Sequence, residues 1–244
     1  MISGFTWVHD GISGGYPFVE AISAVRPYVD EVVAVDAEST DDTRRVLDKL
    51  CETVLTSPWS GRDTSSNAFL KHLECKGDTI IFFEADEVYD EGLLKEIVWY
   101  LARGASHLAV YRLQLEQNFQ RCREYPIPVH RIFPKGQGTY HLHPTIYPKN
   151  LNVQIIPAAG NGYLWDCSGN FRDNWVQRKR NQSQIWGDPR HLMVSGHFAE
   201  PNEISEVREM IMLDEPHWTW TETPFKIPQI LRKHLGQTKY EVTI

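Results

Sequence analysis

No stretch of the 244-residue chain approaches the roughly 18 consecutive apolar residues of a membrane-crossing helix, so none is expected. Cysteine is sparse and scattered: Cys51, Cys75, Cys122 and Cys167 include no Cys-x-x-Cys pair, which argues against a zinc knuckle and against a disulfide scaffold. Thiols so placed suit a reducing compartment, and the expected setting is the cytoplasm. Positive charge is in deficit, with 25 Lys and Arg against 32 Asp and Glu for a formal charge of −7. General nucleic-acid binding is driven by basic patches that release counterions, so that class is disfavoured. The opening residues, "MISGFTWVHDG", show neither a basic start nor a long apolar stretch, and no targeting leader is expected from them. Low-complexity tracts, internal repeats and a clean linker are also missing.

What is present is an ordinary globular composition, 41% hydrophobic and 23% charged, on a chain long enough for one well-buried core. Up to about residue 115 strand and helix alternate. Ile2–Val8 reads as a strand, "YPFVEAISAVRPY" as a helix, Glu31–Val35 as a strand, and "TDDTRRVLDKL" as a helix with Ser39 as its cap. A helix through "DTSSNAFLKHLECK" leads to a strand at Thr79–Phe83; "EGLLKEIVWYLARG" is a helix ending at Gly104, and "SHLAVYRLQLE" is a strand. This alternation predicts a doubly wound α/β layout with a mainly parallel central sheet. Beyond residue 120, "YPIPVHRIFPKGQGTYHLHPTIYPKN" reads as short strands and loops, "DNWVQRKRNQSQIW" as a basic helix and "NEISEVREMIML" as an acidic one. The expected division is residues 1–115 as one half and 116–244 as a second half that walls its open edge, the two packed as one domain.

"FFEADEVYDE", residues 82–91, runs an apolar strand into five carboxylates. The lead-in Thr79–Phe83 lacks alternation, as a strand covered on both faces does. Glu84, Asp86 and Glu87 then sit at its carboxyl end, the edge where open α/β sheets bind ligands. Carboxylates crowded there repel one another, and a bound cation relieves them. Mg2+ or Mn2+ takes one or two protein carboxylates and completes its shell with water and substrate phosphates, which suits Asp86 with acidic neighbours. Asp86 also lies too early to cap the following helix, a task open to Asp90 or Glu91. Asp36 ends the second strand, where a carboxylate can accept a hydrogen bond from a ribose hydroxyl or a base N–H. Asp36, Glu38 and Asp41 can equally cap the next helix. His130, His141, His143 and His197 are candidate ligands or proton carriers. Trp218 and Trp220 can stack on a sugar face or simply anchor the C-terminal segment.

"ISGFTWVHDG", "YPFVEAISAVRPYVDEVVAVDAESTDDT" and "GDTIIFFEADEVYDE" together resemble the family 2 glycosyltransferases of GT-A fold, in particular bacterial and phage-like members, over roughly residues 1–115. The resemblance implies transfer of a sugar from a nucleotide-diphosphate sugar, preferably a UDP-sugar, to an acceptor hydroxyl with the help of Mn2+ or Mg2+. It implies that Asp36 contacts the nucleoside. It also implies that Glu84-Ala85-Asp86 stands for the family's D-x-D motif, whose last acid holds the metal on the diphosphate. Ala37 and Glu38 stand where relatives have a second acid and Gly, and Glu84 lengthens the first acid of the motif, toward the ribose or a water. "RIFPKGQGTYHLHP" resembles the region where relatives carry an Arg-aliphatic-Phe strand and a His-Glu pair, with His143 in place and Pro144 for the acid. A later His is replaced by Asp166 in "YLWDCSGNFRDNWVQRKRN". Either can complete the metal shell, His143 ahead of Asp166.

On the donor side Arg62 and Asn67, before the central strand, join Asp36, Glu38 and Glu84 as expected phosphate or nucleoside contacts. An inverting transfer needs a general base near the acceptor, and Glu87, Glu116 and His141 are open alternatives. Nucleotidyl transfer to a sugar phosphate would want a basic, Gly-rich loop after the first strand, and "HDGISGGYP" has the glycines without Lys or Arg. A non-catalytic carbohydrate-binding module would leave Asp36 and Asp86 unexplained. The acceptor stays open among protein, glycan, lipid-linked sugar and modified DNA base; the basic helix "DNWVQRKRNQ" is the one pointer to an anionic acceptor.

Overall fold

A computed structural model describes residues 1–60, 64–116, 121–123, 126–137, 153–157, 162–169, 174, 193–194, 197–198, 220–222, 228–235, 237 and 239–242. Short β-branched runs closed off by helices build its first unit. Strand β1 (Ile2–Val8) leads into α1 (Phe18–Val25), β2 (Glu31–Asp36) into α2 (Thr43–Leu50), and β3 (Thr53–Thr56) into α3 (Thr64–Leu70) before β4 (Thr79–Phe82). These strands are parallel, in the spatial order β4-β1-β2-β3. In α1, Phe18, Ala21, Ile22 and Val25 recur at helical spacing and are buried. They share one face of the sheet with Val46 and Leu47 of α2. Ala68 and Phe69 of α3 cover the opposite face, against Phe5, Val33, Val35, Ile80 and Phe82. The chain thus steps outward from β1 to β2 and β3, then returns to β4 on the far side of β1 with its helix on the other face. The carboxyl ends of β1 and β4 therefore form a topological switch point, where sheets of this kind bind ligands.

Among the described residues, the later strands other than β11 and β12 extend the same sheet. After β5 (Glu87–Tyr89) and α4 (Glu91–Leu101) come β6 (Leu108–Glu116), β7 (Arg121–Arg123), β8 (Ile127–Pro134), β9 (Gln154–Ile155) and β10 (Leu164–Gly169). Next are the paired β11 (Met193–Val194) and β12 (His197–Phe198), then β13 (Trp220–Glu222). β8 pairs antiparallel with β4 and with β6, while β10 runs parallel to β6 and antiparallel to β5. At the far end of the chain, the turn Gln229–His234 is fastened to α1. Glu20 Oε1 accepts from His234 Nε2 at 2.9 Å and Lys233 Nζ at 2.7 Å, and its Oε2 accepts from the Tyr240 hydroxyl at 2.7 Å.

Three details differ from the sequence reading. β3 was not expected: it is a four-residue edge strand, half-buried to exposed, and so carries little hydrophobic signal. It is covered by Arg44 of α2, which donates to Thr56 Oγ1 at 3.0 Å and to the Val54 carbonyl at 3.2 Å. The helix expected over residues 63–76 is α3 followed by a 3-10 turn, Lys71–Glu74. Ser39 does not cap α2. The helix starts at Thr43, whose N–H donates to Asp41 Oδ1 at 2.9 Å, while Ser39 Oγ accepts the Asp10 N–H at 2.9 Å. All four cysteines are free thiols. Among the described residues, no helix is long and apolar enough to cross a membrane.

Candidate active site

The register of the parallel strands brings their polar ends to one level. Val8 of β1 lies beside Asp36 of β2, and Phe5 beside Phe82 of β4, so the residues just after Phe82 run alongside the end of β1. Asp36 thus ends β2, one neighbour of β1, while Asp86 lies in the turn that follows β4, its other neighbour. Asp36 is 6% exposed, and its Oδ1 accepts the Ser39 N–H at 3.3 Å.

Two residues at this edge, Asp10 and Glu38, have left-handed backbone, with φ of 46° and 51°. Non-glycine residues pay for that conformation, and here both use it to knit loops together. Asp10 Oδ1 accepts the Thr40 N–H at 2.6 Å, and Glu38 Oε2 accepts the Trp59 N–H at 3.0 Å. Trp59 in turn lies flat on His9, with ring centroids 3.5 Å apart and planes within 9°. His9 is held by a 2.6 Å hydrogen bond from Nδ1 to the Ala37 carbonyl. The loops after β1, β2 and β3 are thus one connected surface.

On the other side of β1, residues 84–87 make a tight turn. Its ends are tied twice: the Glu87 N–H donates to the Glu84 carbonyl at 3.0 Å, and the Glu84 N–H donates back to Glu87 Oε2 at 3.1 Å. The Asp86 carbonyl accepts the Cys167 N–H of β10 at 2.8 Å. Beneath the turn, Glu87 receives Arg131 of β8 in a two-pronged ion pair, Nε to Oε2 at 2.8 Å and Nη2 to Oε1 at 2.6 Å, with both side chains fully buried. Arg112 of β6 stands between Glu87 at 3.4 Å and Asp166 at 3.7 Å, and Arg131 lies 3.9 Å from Glu84.

The charges pull the two glutamates apart. Burial alone would raise the Glu87 carboxyl, but the Arg131 charge and hydrogen bonds, with Arg112 behind, bring it below its ordinary range. Glu84 is pushed up to about 8 by burial and then by the Glu87 charge, against the pull of Arg131. With the Glu84 carboxyl mostly neutral, the carboxylates of Asp86, Glu87 and Asp166 gather with the two guanidinium groups, and the negative charge left over favours a cation. Among the described residues no three His, Cys, Asp or Glu side chains are grouped around one metal position. A Mg2+ or Mn2+ needs only one or two protein carboxylates beside water and phosphate oxygens, and Asp86, with Glu84 next to it in the turn, fits that need.

The structure thus assembles Glu84, Asp86, Glu87 and Asp166 at one end of the edge and Asp36 and Glu38 at the other. Asn67 is exposed on α3, its Nδ2 3.5 Å from Ser60 Oγ. Glu116 ends β6, its backbone paired with Arg121. His130 is buried in β8, with its ring 5.3 Å from that of His107. Arg62, His141, His143 and Trp218 lie outside the described residues, as do the side chains of His197 and Trp220. Sequence reasoning gave no role to Arg131, Arg112, Asp10, His9 and Trp59, although Arg131, His9 and Asp10 lie in stretches that carry the family resemblance. The available signal was a lone Arg inside the apolar run "VHRIF", which a buried strand admits only opposite a carboxylate.

The profile of glycosyl transferase family 2 matches residues 17–148, more than half of the chain. The chain belongs to this family, and its α/β layout with the acid-bearing turn after β4 is the GT-A arrangement expected of it. An uncharacterized glycosyltransferase from Rickettsia felis is 39% identical over 109 residues, which are 43% of this chain and 38% of that protein. Another, from Rickettsia conorii, is 38% identical over 109 residues with the same coverage. The chain therefore spans well under half the length of these curated relatives. Among solved structures, S. aureus TarS 1–349 superposes with a TM-score of 0.45 at 12% identity, covering 88% of this chain and 71% of that one. Glucosyl-3-phosphoglycerate synthase from Mycobacterium tuberculosis, in complex with Mn2+, UDP and glucosyl-3-phosphoglycerate, gives 0.36 at 19% identity, covering 46% and 44%. These likenesses are too loose to carry functional detail.

Proposed function

We propose that the protein transfers a sugar from a UDP-sugar to an acceptor hydroxyl, with a divalent cation at Asp86. The observation that supports this reading is that Asp36 ends β2 and the acid-bearing turn with Asp86 follows β4, the two strands that neighbour β1, in a chain of family 2. Asp36 receives the nucleoside at the end of β2, with Glu38 and the His9–Trp59 stack beside it; Asn67 of α3, and Arg62 before it in the sequence, contact the diphosphate or base. Asp86, with Glu84 next to it and His143 or Asp166 as further ligand, holds the cation. A cation held by Asp86 would offset the negative charge that grows on the leaving diphosphate as the bond to the anomeric carbon breaks. The acceptor oxygen forms the new bond to that carbon and gives its proton to a base. Glu87 is buried in its pair with Arg131, so this role falls to Glu116 or His141. The free thiols support a cytoplasmic setting. The acceptor is left open.

Calorimetry with UDP, GDP, CDP and ADP, each with and without Mn2+, tests the reading. UDP is expected to bind best and only weakly without metal. Failure of all four to bind with Mn2+ present would sink it.

A further inference from the structure

We propose that Glu87 and Arg131 are positioning residues for the metal-holding turn, acting through Asp86 rather than on the substrate; this rests on the function proposed above. Asp86 is one of the two middle residues of a turn whose ends are both closed by Glu87, through its backbone N–H to the Glu84 carbonyl and through its carboxylate to the Glu84 N–H. A carboxylate can hold such a turn in one shape only if it is itself immobile. Arg131 supplies that immobility: its planar fork takes both Glu87 oxygens and comes from β8, which pairs with β4, the strand that leads into the turn. The third fastening, from the Cys167 N–H to the Asp86 carbonyl, belongs to β10. Three strands thus converge on one four-residue turn, and a buried ion pair is the pin.

A buried pair of this kind is not needed for stability alone, since apolar replacement of both partners is often neutral or stabilising. The positioning role predicts what stability does not, namely a loss of metal affinity when the pair is replaced without loss of fold. Partners that orient metal ligands typically govern metal affinity by about 10- to 100-fold.

The test measures Mn2+ affinity in the presence of UDP by electron paramagnetic resonance, alongside thermal midpoints, for the wild type, Glu87→Gln, Arg131→Lys and the double variant Glu87→Gln/Arg131→Met. Glu87→Gln is expected to lower both the midpoint and Mn2+ affinity, because it removes the charge facing a buried guanidinium. The double variant is expected to regain most of the midpoint yet bind Mn2+ at least tenfold more weakly than wild type. Arg131→Lys, which keeps the charge but not the fork, is expected to fall between. A double variant that is folded and binds Mn2+ within twofold of wild type would overturn the positioning role while leaving the proposed function standing. Wild-type protein that binds neither UDP nor Mn2+ would overturn the proposed function, and this inference with it.

Discussion

Asp86 and Asp90 lie four residues apart in the same acidic stretch, yet they face different tasks. Asp90 sits at the start of α4 without capping it. Its Oδ2 instead accepts the Tyr163 N–H at 2.9 Å and the Trp165 Nε1–H at 2.7 Å, tying α4 to β10. Replacing Asp90 with Asn is expected to cost about 1–2 kcal/mol of stability, by weakening hydrogen bonds to a half-buried carboxylate, and to leave Mn2+ affinity unchanged. Replacing Asp86 with Asn is expected to do the opposite: the thermal midpoint stays near that of wild type while turnover of a UDP-sugar falls by orders of magnitude, tenfold for each 1.4 kcal/mol of lost transition-state stabilisation. Turnover measured at saturating Mn2+ decides the matter. An Asp86→Asn protein that keeps more than about a tenth of wild-type turnover would remove Asp86 from the metal role.

Among the described residues, the C-terminal segment is fastened to α1 through Glu20. Glu20, on α1, is 2% exposed; burial alone would raise its carboxyl, but hydrogen bonds from His234, Lys233 and Tyr240 bring it down to about 2 from an ordinary 4.5. A carboxyl lowered on folding stabilises the folded state above its unfolded pKa and loses that contribution as pH falls to its folded value. We expect Glu20→Gln to cost about 3 kcal/mol at pH 7 and the difference from wild type to shrink between pH 4.5 and about 2. Chemical denaturation across that range checks it, and a constant difference would show that the clasp does not depend on the Glu20 charge. The same segment reaches the loop after β1 through Asn174. Its Nδ2 donates to the Ser13 carbonyl at 2.9 Å and the Ile12 carbonyl at 3.2 Å, and its Oδ1 accepts the Tyr240 N–H at 2.9 Å. Gly15, at φ +63°, lets Asn174 come this close, because a Cβ there would collide with its side chain. Gly15→Ala is therefore expected to cost about 1–3 kcal/mol and to weaken UDP binding, as read by urea midpoint and calorimetry. Unchanged values of both would mean that the loop does not need this contact.

For the whole molecule, the proposed donor site lies at a switch point between strands β1 and β4 that both faces of the sheet help to build. Ligand bound there should stabilise the fold globally rather than locally. With UDP and Mn2+ at about 100 times the dissociation constant, mass action adds about 2.7 kcal/mol, which for a domain of this size raises the melting temperature by roughly 5–10 °C. UDP without metal is expected to give a much smaller rise. A scan with the two added singly and together checks this, and a rise equal for UDP alone would argue against a cation bridging donor and Asp86.

The sequence by itself determined the strand–helix alternation up to about residue 115, the apolar strand Thr79–Phe82 and the placing of Asp36 at the end of β2, with Asp86 in the turn after β4. These follow from side-chain periodicity and chain direction, which are local properties. What only the tertiary structure decided is who meets whom. Glu87 read as one of several bases until β8 brought Arg131 to it from 44 residues away. Asp166 enters the same cluster because β10 lies across from β5, and Arg112 because β6 lies beside β10. Asn174 reaches Ile12 over 162 residues. A buried charge is stable only opposite its partner, and the partner is chosen by strand order and register, which no local pattern in the sequence records.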